Sequence, residues 1–388
     1  MSTGAAHLPG TGRSRRTAVA VALAITVVAA SLGGYSVWRV LARPGANGYG
    51  PTEIDVLPSE GTRSGCIVGT PGAPRPTSAL HFGTLQANTY SVPAGTTGHV
   101  GMCYNASSGA MFAYANWSHV GSGGGWFSYP QVAYGVDLYA GEATVYTNQS
   151  PAWSLPETVA STVAKDLWVT ASYRLNAPNA SDVSGYDLSF DDFFSQGLPP
   201  TLEVPPFVEV EIFLAHNISY PVDWARWSAV TLVNGTLETE PWAVGYWCHG
   251  ADNGTNGNLS FDFSYDGQAT HGLAAGTLGV NLSAVLAEVE ALMPGASCWT
   301  GPTDAFPSFY LGEEDLGSED GAVGGASYNY NWTVTQYCLH TQVDPTNASA
   351  VSCRATDPPD GPASAAATGR LSDATEPGAP VSARVRDP

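Results

Sequence analysis

Phe207–His216 reads FVEVEIFLAH. Val208, Val210, Ile212 and Leu214 alternate with Glu209, Glu211 and Phe213, the period of two shown by a strand with one apolar face. One side therefore belongs against a core, and the other carries two carboxylates and an aromatic ring. Working outward, DLWVTASYRL, GYDLSFDDFF, RWSAVTLVN, PWAVGYW, LSFDFSYDG and YNYNWTVTQY are short, β-branched or aromatic, and separated by Gly, Pro or Asn, which is how strands and turns read. The pattern predicts an all-β fold, a jelly-roll sandwich of two antiparallel sheets. VNLSAVLAEVEALMPG breaks it by placing Leu282, Val285, Leu286, Val289 and Leu292 at helical spacing before Pro294 and Gly295. It predicts one helix packed on the outside of the sandwich.

The 388 residues are 44% hydrophobic and only 12% charged, enough for one large domain with appendages. A core of that size needs no metal or staple. With 14 basic against 34 acidic residues the formal charge is −20, which excludes nucleic acid and anionic membrane surfaces as natural partners. Lys165 is the single lysine; so few charges would limit self-repulsion in acid, and a working pH below neutrality is the expectation.

Arg13, Arg15 and Arg16 precede an uncharged, mostly apolar run of 22 residues, Thr17–Trp38. At ~1.5 Å per residue that run spans a hydrocarbon layer of ~30 Å. It reads as an anchor with its basic end in the cytoplasm, or as a cleaved signal segment with small residues at Ala29, Ala30 and Ser31. The chain beyond it is expected outside the cell, in contact with a membrane only through this segment. Eleven N-x-[ST] sequons, among them Asn105, Asn116, Asn234 and Asn347, agree with export. The cysteines are Cys66, Cys103, Cys248, Cys298, Cys338 and Cys353, with no CxxC pair, so disulfides are expected and a zinc site is not. Six cysteines allow 15 pairings, and spacing chooses none of them.

The chain divides into a basic segment (1–16), the apolar run (17–38), a Gly/Pro-rich tether (39–62), the folded domain (63–343) and a Pro/Ala/Ser-rich tail (344–388).

The carboxylates point to a chemistry. Hydrolysis of a glycosidic bond needs two carboxyl groups across one sugar, one to attack and one to protonate the leaving oxygen. Glu209 in the quoted strand and Glu319 in LGSEDGAVGGASYNYNWTV supply such a pair. Such a cleft needs no cofactor. Tyr90, Trp117, Phe213 and Trp242 offer rings for sugar faces. His216 and His249 have no partner at ligand or triad spacing and read as structural or surface residues.

In these motifs the chain resembles glycoside hydrolase family 12, the jelly-roll endoglucanases. EVEIFL resembles the family's E-[LIV]-M-[IV]-W-L strand, which implies Glu209 as nucleophile, and GSEDGAVGGASYNYNWT resembles the segment that carries the acid/base, which implies Glu319. AVLAEVEAL stands where the family has its helix, ANWSHVGSGGGWFSYPQ resembles its early Trp and Ser-Tyr region, and EPWAVGYWCHG a later aromatic strand. DLSFDDFF resembles the strand with a supporting carboxylate, implying Asp191 in that role; ANTYSV places Asn88 and Tyr90 in the position of the family's Asn and sugar-stacking Trp. Glu211 and Phe213 replace the usual Met and Trp, and Asp320 and Gly321 replace Pro and an aromatic, so the substrate floor is altered. The resemblance implies a disulfide between Cys66 and Cys103, and a retaining endo-β-1,4-glucanase acting on cellulose, mixed-linkage glucan or xyloglucan. A sugar-binding lectin-like surface protein is the alternative; two facing buried carboxyls argue for the enzyme, and a pair on opposite sheet faces would exclude it.

Overall fold

The structure, a computed structural model, describes residues 52–57, 64–73, 75–90, 92–123, 125–137, 144–145, 149–150, 152–176, 183–198, 206–217, 225–249, 258–265, 272–297, 299, 302, 304–342 and 346–353. The apolar run 17–38 lies outside them; among the described residues no helix is long and apolar enough to cross a membrane.

The nineteen described strands are β1 (Thr52–Asp55), β2 (Gly65–Gly69), β3 (Thr77–Ala79), β4 (Thr84–Thr89), β5 (Thr97–Asn105), β6 (Ala110–His119), β7 (Gly125–Asp137), β8 (Thr144–Val145), β9 (Glu157–Thr158), β10 (Trp168–Asn176), β11 (Val183–Ser195), β12 (Phe207–His216), β13 (Ala225–Val233), β14 (Thr236–His249), β15 (Asn258–Tyr265), β16 (Ala275–Asn281), β17 (Tyr310–Gly317), β18 (Asp320–Ala322) and β19 (Tyr328–Thr341). The fold is a jelly roll, and every strand segment expected from the sequence between Asp166 and Tyr337 lies in one of these elements.

The two layers are not separate sheets. Pairings run β3–β4–β7–β17/β18–β11–β12–β15–β14–β13 and continue through Thr231↔Val280, Leu232↔Gly279 and Val233↔Leu278 into β16–β10–β19–β6–β5–β2. One sheet folds over on itself along the β13–β16 seam. The turn that feeds the seam is the two-residue Asn234-Gly235 loop, with φ of 48° and 86°, the left-handed geometry that a tight hairpin requires. Most pairs are antiparallel, but β12 and β15 run parallel, Glu209↔Ser260 to Phe213↔Ser264.

Between the layers lies one core. Val208, Val210, Ile212 and Leu214 of β12 enter it beside Phe190, Phe194, Phe261 and Phe263, with Met111, Ala113, Trp332 and Val334 from the other layer. Each large apolar side chain buried this way stabilises the fold by about 1.5–3 kcal/mol.

The expected helix is present as Leu282–Leu292. Asn281 caps it by accepting from the Ala284 N–H at 2.9 Å, and its buried side chains are Leu282, Val285, Leu286 and Val289. It is not the only one. A six-residue helix, Val159–Ala164, packs beside it, with Ser283 Oγ donating to the Thr162 carbonyl at 3.1 Å. Four further helical residues, Ala348–Val351, follow β19.

The folded region is longer than 63–343. β1, inside the expected tether, pairs with β19 from Thr52↔Thr341 to Asp55↔Cys338, and beyond residue 343 Cys353 bonds to Cys338. Ile54 and Val56 enter the core, which is why a Pro/Gly-rich stretch still yields a strand. The Cys66–Cys103 disulfide is formed and ties β2 to β5, closing a loop of 37 residues, which corresponds to about 3–4 kcal/mol of chain entropy.

Candidate active site

The polar side of β12 faces away from the core. Parity carries the same face onto its neighbours, because residues directly opposite each other in a sheet share a face. Asp191 of β11 lies opposite Glu211 and also opposite Asp315 of β17. Glu211 lies opposite Asp262 of β15. Four carboxyl groups, Asp315, Asp191, Glu211 and Asp262, thus stand in one row across four adjacent strands, ~4.8 Å from strand to strand. Glu209 sits one step along β12 from this row, and the carboxyl oxygens of Asp191, Glu209 and Glu211 come within 4.8 Å of one another.

The ends of the row are held by donors. Tyr129 Oη donates to Asp315 Oδ1 at 2.6 Å, and Ser260 Oγ donates to Asp262 Oδ1 at 2.8 Å. Beyond Asp315, Gln131 Nε2 donates to Glu313 Oε1 at 2.9 Å.

Glu319 reaches the site from the link between β17 and β18. Its backbone is latched twice to Asp187 of β11: the Glu319 N–H donates to Asp187 Oδ1 at 2.9 Å, and the Asp187 N–H donates to the Glu319 carbonyl at 3.1 Å. Tyr330 Oη donates to the Asp187 carbonyl at 2.6 Å, and Trp332 Nε1 to Ser318 Oγ at 2.6 Å. The Glu319 carboxylate accepts from Tyr90 Oη at 2.5 Å. Tyr90, half-buried, is therefore a hydroxyl partner of Glu319.

Electrostatics follow from burial without counter-charge. Glu209 is pushed up to about 8, by burial first and then by the Glu319 and Asp262 carboxylates. Burial also raises Glu319, while the Tyr90 hydrogen bond pulls it back down. Burial first raises Asp191, Glu211 and Asp315 well above the carboxylate range, with Glu209 and Asp315 adding to Asp191, Glu209 and Asp262 to Glu211, and Glu313 to Asp315 against the lowering Tyr129 hydrogen bond. Asp262 is raised to about 7, by burial against the lowering hydrogen bonds of Ser260 and Trp247. The strongest charges acting on these groups are carboxylates. A set so arranged can hold protons and exchange them between neighbours.

Of the residues expected at a site, Glu209, Glu211, Asp191, Glu319 and Tyr90 converge. Asn88 lies on β4 opposite Tyr129 and is half-buried. Three rings do not serve as expected. Trp117 is 1% exposed, shares the inward parity of Ala113 and Ala115, and donates from Nε1 to Asp320 Oδ2 at 2.9 Å inside the core. Trp242 is 0% exposed and donates to Thr231 Oγ1 at 3.1 Å. Phe213 is on the polar face but covered, its ring 5.3 Å from that of His216. His216 is buried and bonds Ser264 Oγ through Nε2 at 2.5 Å; the His249 side chain lies outside the described residues.

The ring that parity does expose is Trp247. It is five residues from Trp242, so it points to the opposite face; it lies opposite Ser260, in line with Glu209, and is 41% exposed. Asp187, Asp262 and Asp315 were also missed. The signal for Asp262 was present in FDF, since two core phenylalanines force the residue between them outward. The Asp191–Asp192 pair is mid-strand and not a turn: Asp192 points into the core opposite Glu314.

Among the described residues two groups have a spacing that suits a cation. In Cys338, His340 and Cys353 the two sulfurs are joined as a disulfide. The oxygens of Asp191, Glu209 and Glu211 would suit a hard cation, and two-carboxyl hydrolysis requires none.

No family's sequence profile matches the chain, and no curated protein matches it in sequence. Solved structures do. The family 12 xyloglucanase from Bacillus licheniformis is similar at 13% identity over 72% of this chain and 100% of its own, with a TM-score of 0.49. Endoglucanase 3 from Trichoderma harzianum, of family 12, is similar at 15% identity over 70% and 97%, with a TM-score of 0.43. The family 11 xylanase from Neocallimastix patriciarum is similar at 13% over 71% and 99%, with a TM-score of 0.42.

Proposed function

We propose that the chain is an extracellular retaining glycoside hydrolase acting inside β-1,4-linked glucans such as cellulose, mixed-linkage glucan or xyloglucan, and held at the cell membrane or secreted by its N-terminal segment. The observation that carries this reading is the convergence of Glu209 and Glu319, from sequence-distant elements, on one polar sheet face where each acts on the same neighbours, Asp191 and Glu211. Glu209 attacks the anomeric carbon; Glu319 gives its proton to the leaving oxygen, then takes one from the water that releases the glycosyl-enzyme. Asp191 fixes the charge around Glu209.

Reducing-sugar release from carboxymethylcellulose, barley β-glucan and xyloglucan between pH 2 and 8 tests it. Release from at least one is expected. No release from any of the three, with sugar binding retained, would replace this reading by the lectin-like one.

Tyr90 and Trp247 have separable roles under this reading. Tyr90 donates to the ionised form of Glu319, so Tyr90→Phe raises the pKa of the acid and moves the alkaline limb of the pH–rate profile upward. Trp247→Ala removes a ring contact of about 0.5–1.5 kcal/mol and raises KM on polysaccharide roughly 2- to 12-fold. An unchanged alkaline limb in the first variant, or a loss confined to kcat in the second, would contradict these roles.

A further inference from the structure

The row Asp315–Asp191–Glu211–Asp262 is not required for a two-carboxyl hydrolysis, and it is costly in any sheet if ionised, because like charges directly opposite each other repel. The row is also deeply enclosed: Asp191, Asp262 and Asp315 are 3%, 2% and 0% exposed. Asp191 Oδ1, Asp262 Oδ2 and Asp315 Oδ2 have no hydrogen-bond partner. A buried carboxyl oxygen without a donor, beside another carboxyl, is the position that a shared carboxyl proton fills.

The groups around the row complete the account. Asp191 is faced by Glu209 and Glu211 of β12, by Asp315 of β17 and by Glu319. Glu211 is faced by Glu209, Asp262, Glu319 and Asp187. Asp262 is faced by Glu209, Glu211, Asp187, Glu319, Ser260 and Trp247, and Asp315 by Asp191, Glu313, Tyr129, Glu314 and Glu209. The strongest charges acting on any of the four are carboxylates.

We propose that this four-carboxyl row is a proton store: the folded sheet holds protons there that the unfolded chain does not, and Glu211 and Asp191, as positioning residues, set through it the pH at which Glu209 and Glu319 reach their working charge states. The second half rests on the hydrolase reading above; the first half does not. Protons move between carboxyl oxygens and solvent, and no bond to carbon is involved.

The sign is fixed by the direction of the shifts. Burial and mutual repulsion raise these carboxyls in the folded state, so the stability they contribute is complete below the ordinary carboxylate range and is lost as pH rises through the folded values, about 7 for Asp262. Each additional proton held by the folded chain lowers the folding equilibrium constant about tenfold per pH unit across that window.

The test uses the full chain. Denaturant unfolding between pH 4 and 8 is expected to show stability falling as pH rises, with one or more protons released on unfolding at pH 6, counted by calorimetry in buffers of different ionisation enthalpy. In an Asp315→Asn/Asp262→Asn variant, which keeps the shape of both ends of the row, the fall is shallower and fewer protons are released. Stability that is flat or rises with pH, or no proton release from the parent, overturns the store; so does an unchanged slope in the variant. If the double variant does not fold, Asp262→Asn alone takes its place, because Asp320 and the Asp192–Glu314 pair also hold raised carboxyls and release protons from the parent; an unchanged slope in that single variant overturns the store.

For the positioning role, Glu211→Gln removes the charge that Glu211 carries only once it has given up its proton beside Glu209 and Glu319, so the alkaline limb of its pH–rate profile on barley β-glucan is expected to move toward acid while the acid limb stays. An alkaline limb that stays in place, with activity retained, overturns that role. Proton release from a chain that cleaves no glucan would instead leave the store standing and remove the hydrolase reading.

Discussion

Glu209→Ala lowers hydrolysis of an aryl β-cellobioside by a factor of roughly 10⁴–10⁶, the scale of deleting a covalent nucleophile, and azide restores turnover with an α-glycosyl azide as product. Glu319→Ala lowers it by roughly 10²–10⁴ on a substrate that needs protonation. With a good leaving group the glycosyl-enzyme still forms, and azide then yields the β-glycosyl azide. The two azides differ because one forms by a single displacement and the other by two. This outcome also assigns the roles, on which charge and sequence pattern disagree. In the empty cleft Tyr90 favours the ionised form of Glu319, whereas Glu209 is pushed up to about 8. Charge alone would make Glu319 the attacking group, and an exchanged pair of azide products would show that it is.

Asp320→Ala is expected to cost the fold about 1–3 kcal/mol for each donor it strands. Asp320 is fully buried and accepts from Trp117 Nε1 at 2.9 Å and from Tyr328 Oη through the same oxygen. Alanine leaves both donors in the core without an acceptor, next in sequence to Glu319; Asp320→Asn keeps a carbonyl oxygen that can accept from both and loses less. Burial raises the Asp320 carboxyl to about 7 against these two hydrogen bonds. The gap between parent and alanine variant is therefore widest in acid and narrows as pH rises through about 7. Urea midpoints at pH 4 and 7.5 measure it, and an alanine variant as stable as the parent at pH 4 would mean that the two donors find other acceptors.

How much of this was legible in the chain depends on the range of the signal. The alternation in FVEVEIFLAH showed both the core face of β12 and that Glu209 and Glu211 point away from it, since strand parity is a local property. The helix Leu282–Leu292 was legible for the same reason, whereas Val159–Ala164 is too short and too rich in β-branched residues to stand out. Trp117 and Trp242 were placed by motif order, and parity with Ala113, Ala115 and Val244 would have put both in the core. The acid row was illegible. It depends on β12 meeting β15 in parallel and β11 meeting β17, pairings between strands far apart in sequence that only the closed sheet reveals. The seam that joins the two layers was hidden likewise, because edge pairing leaves no periodic mark.

The pairing of β1 with β19 from Thr52↔Thr341 governs when the domain can form. Its first and last strands must meet, so contacts of the longest sequence separation close the structure, and folding of this kind is slow and late. A chain lacking its final strand has an unpaired β1 and a core open at Ile54 and Val56. The same proximity brings the two ends of the domain together, so opening the chain at the Asn234-Gly235 turn and linking the old ends yields a permuted order of strands compatible with the same sheet.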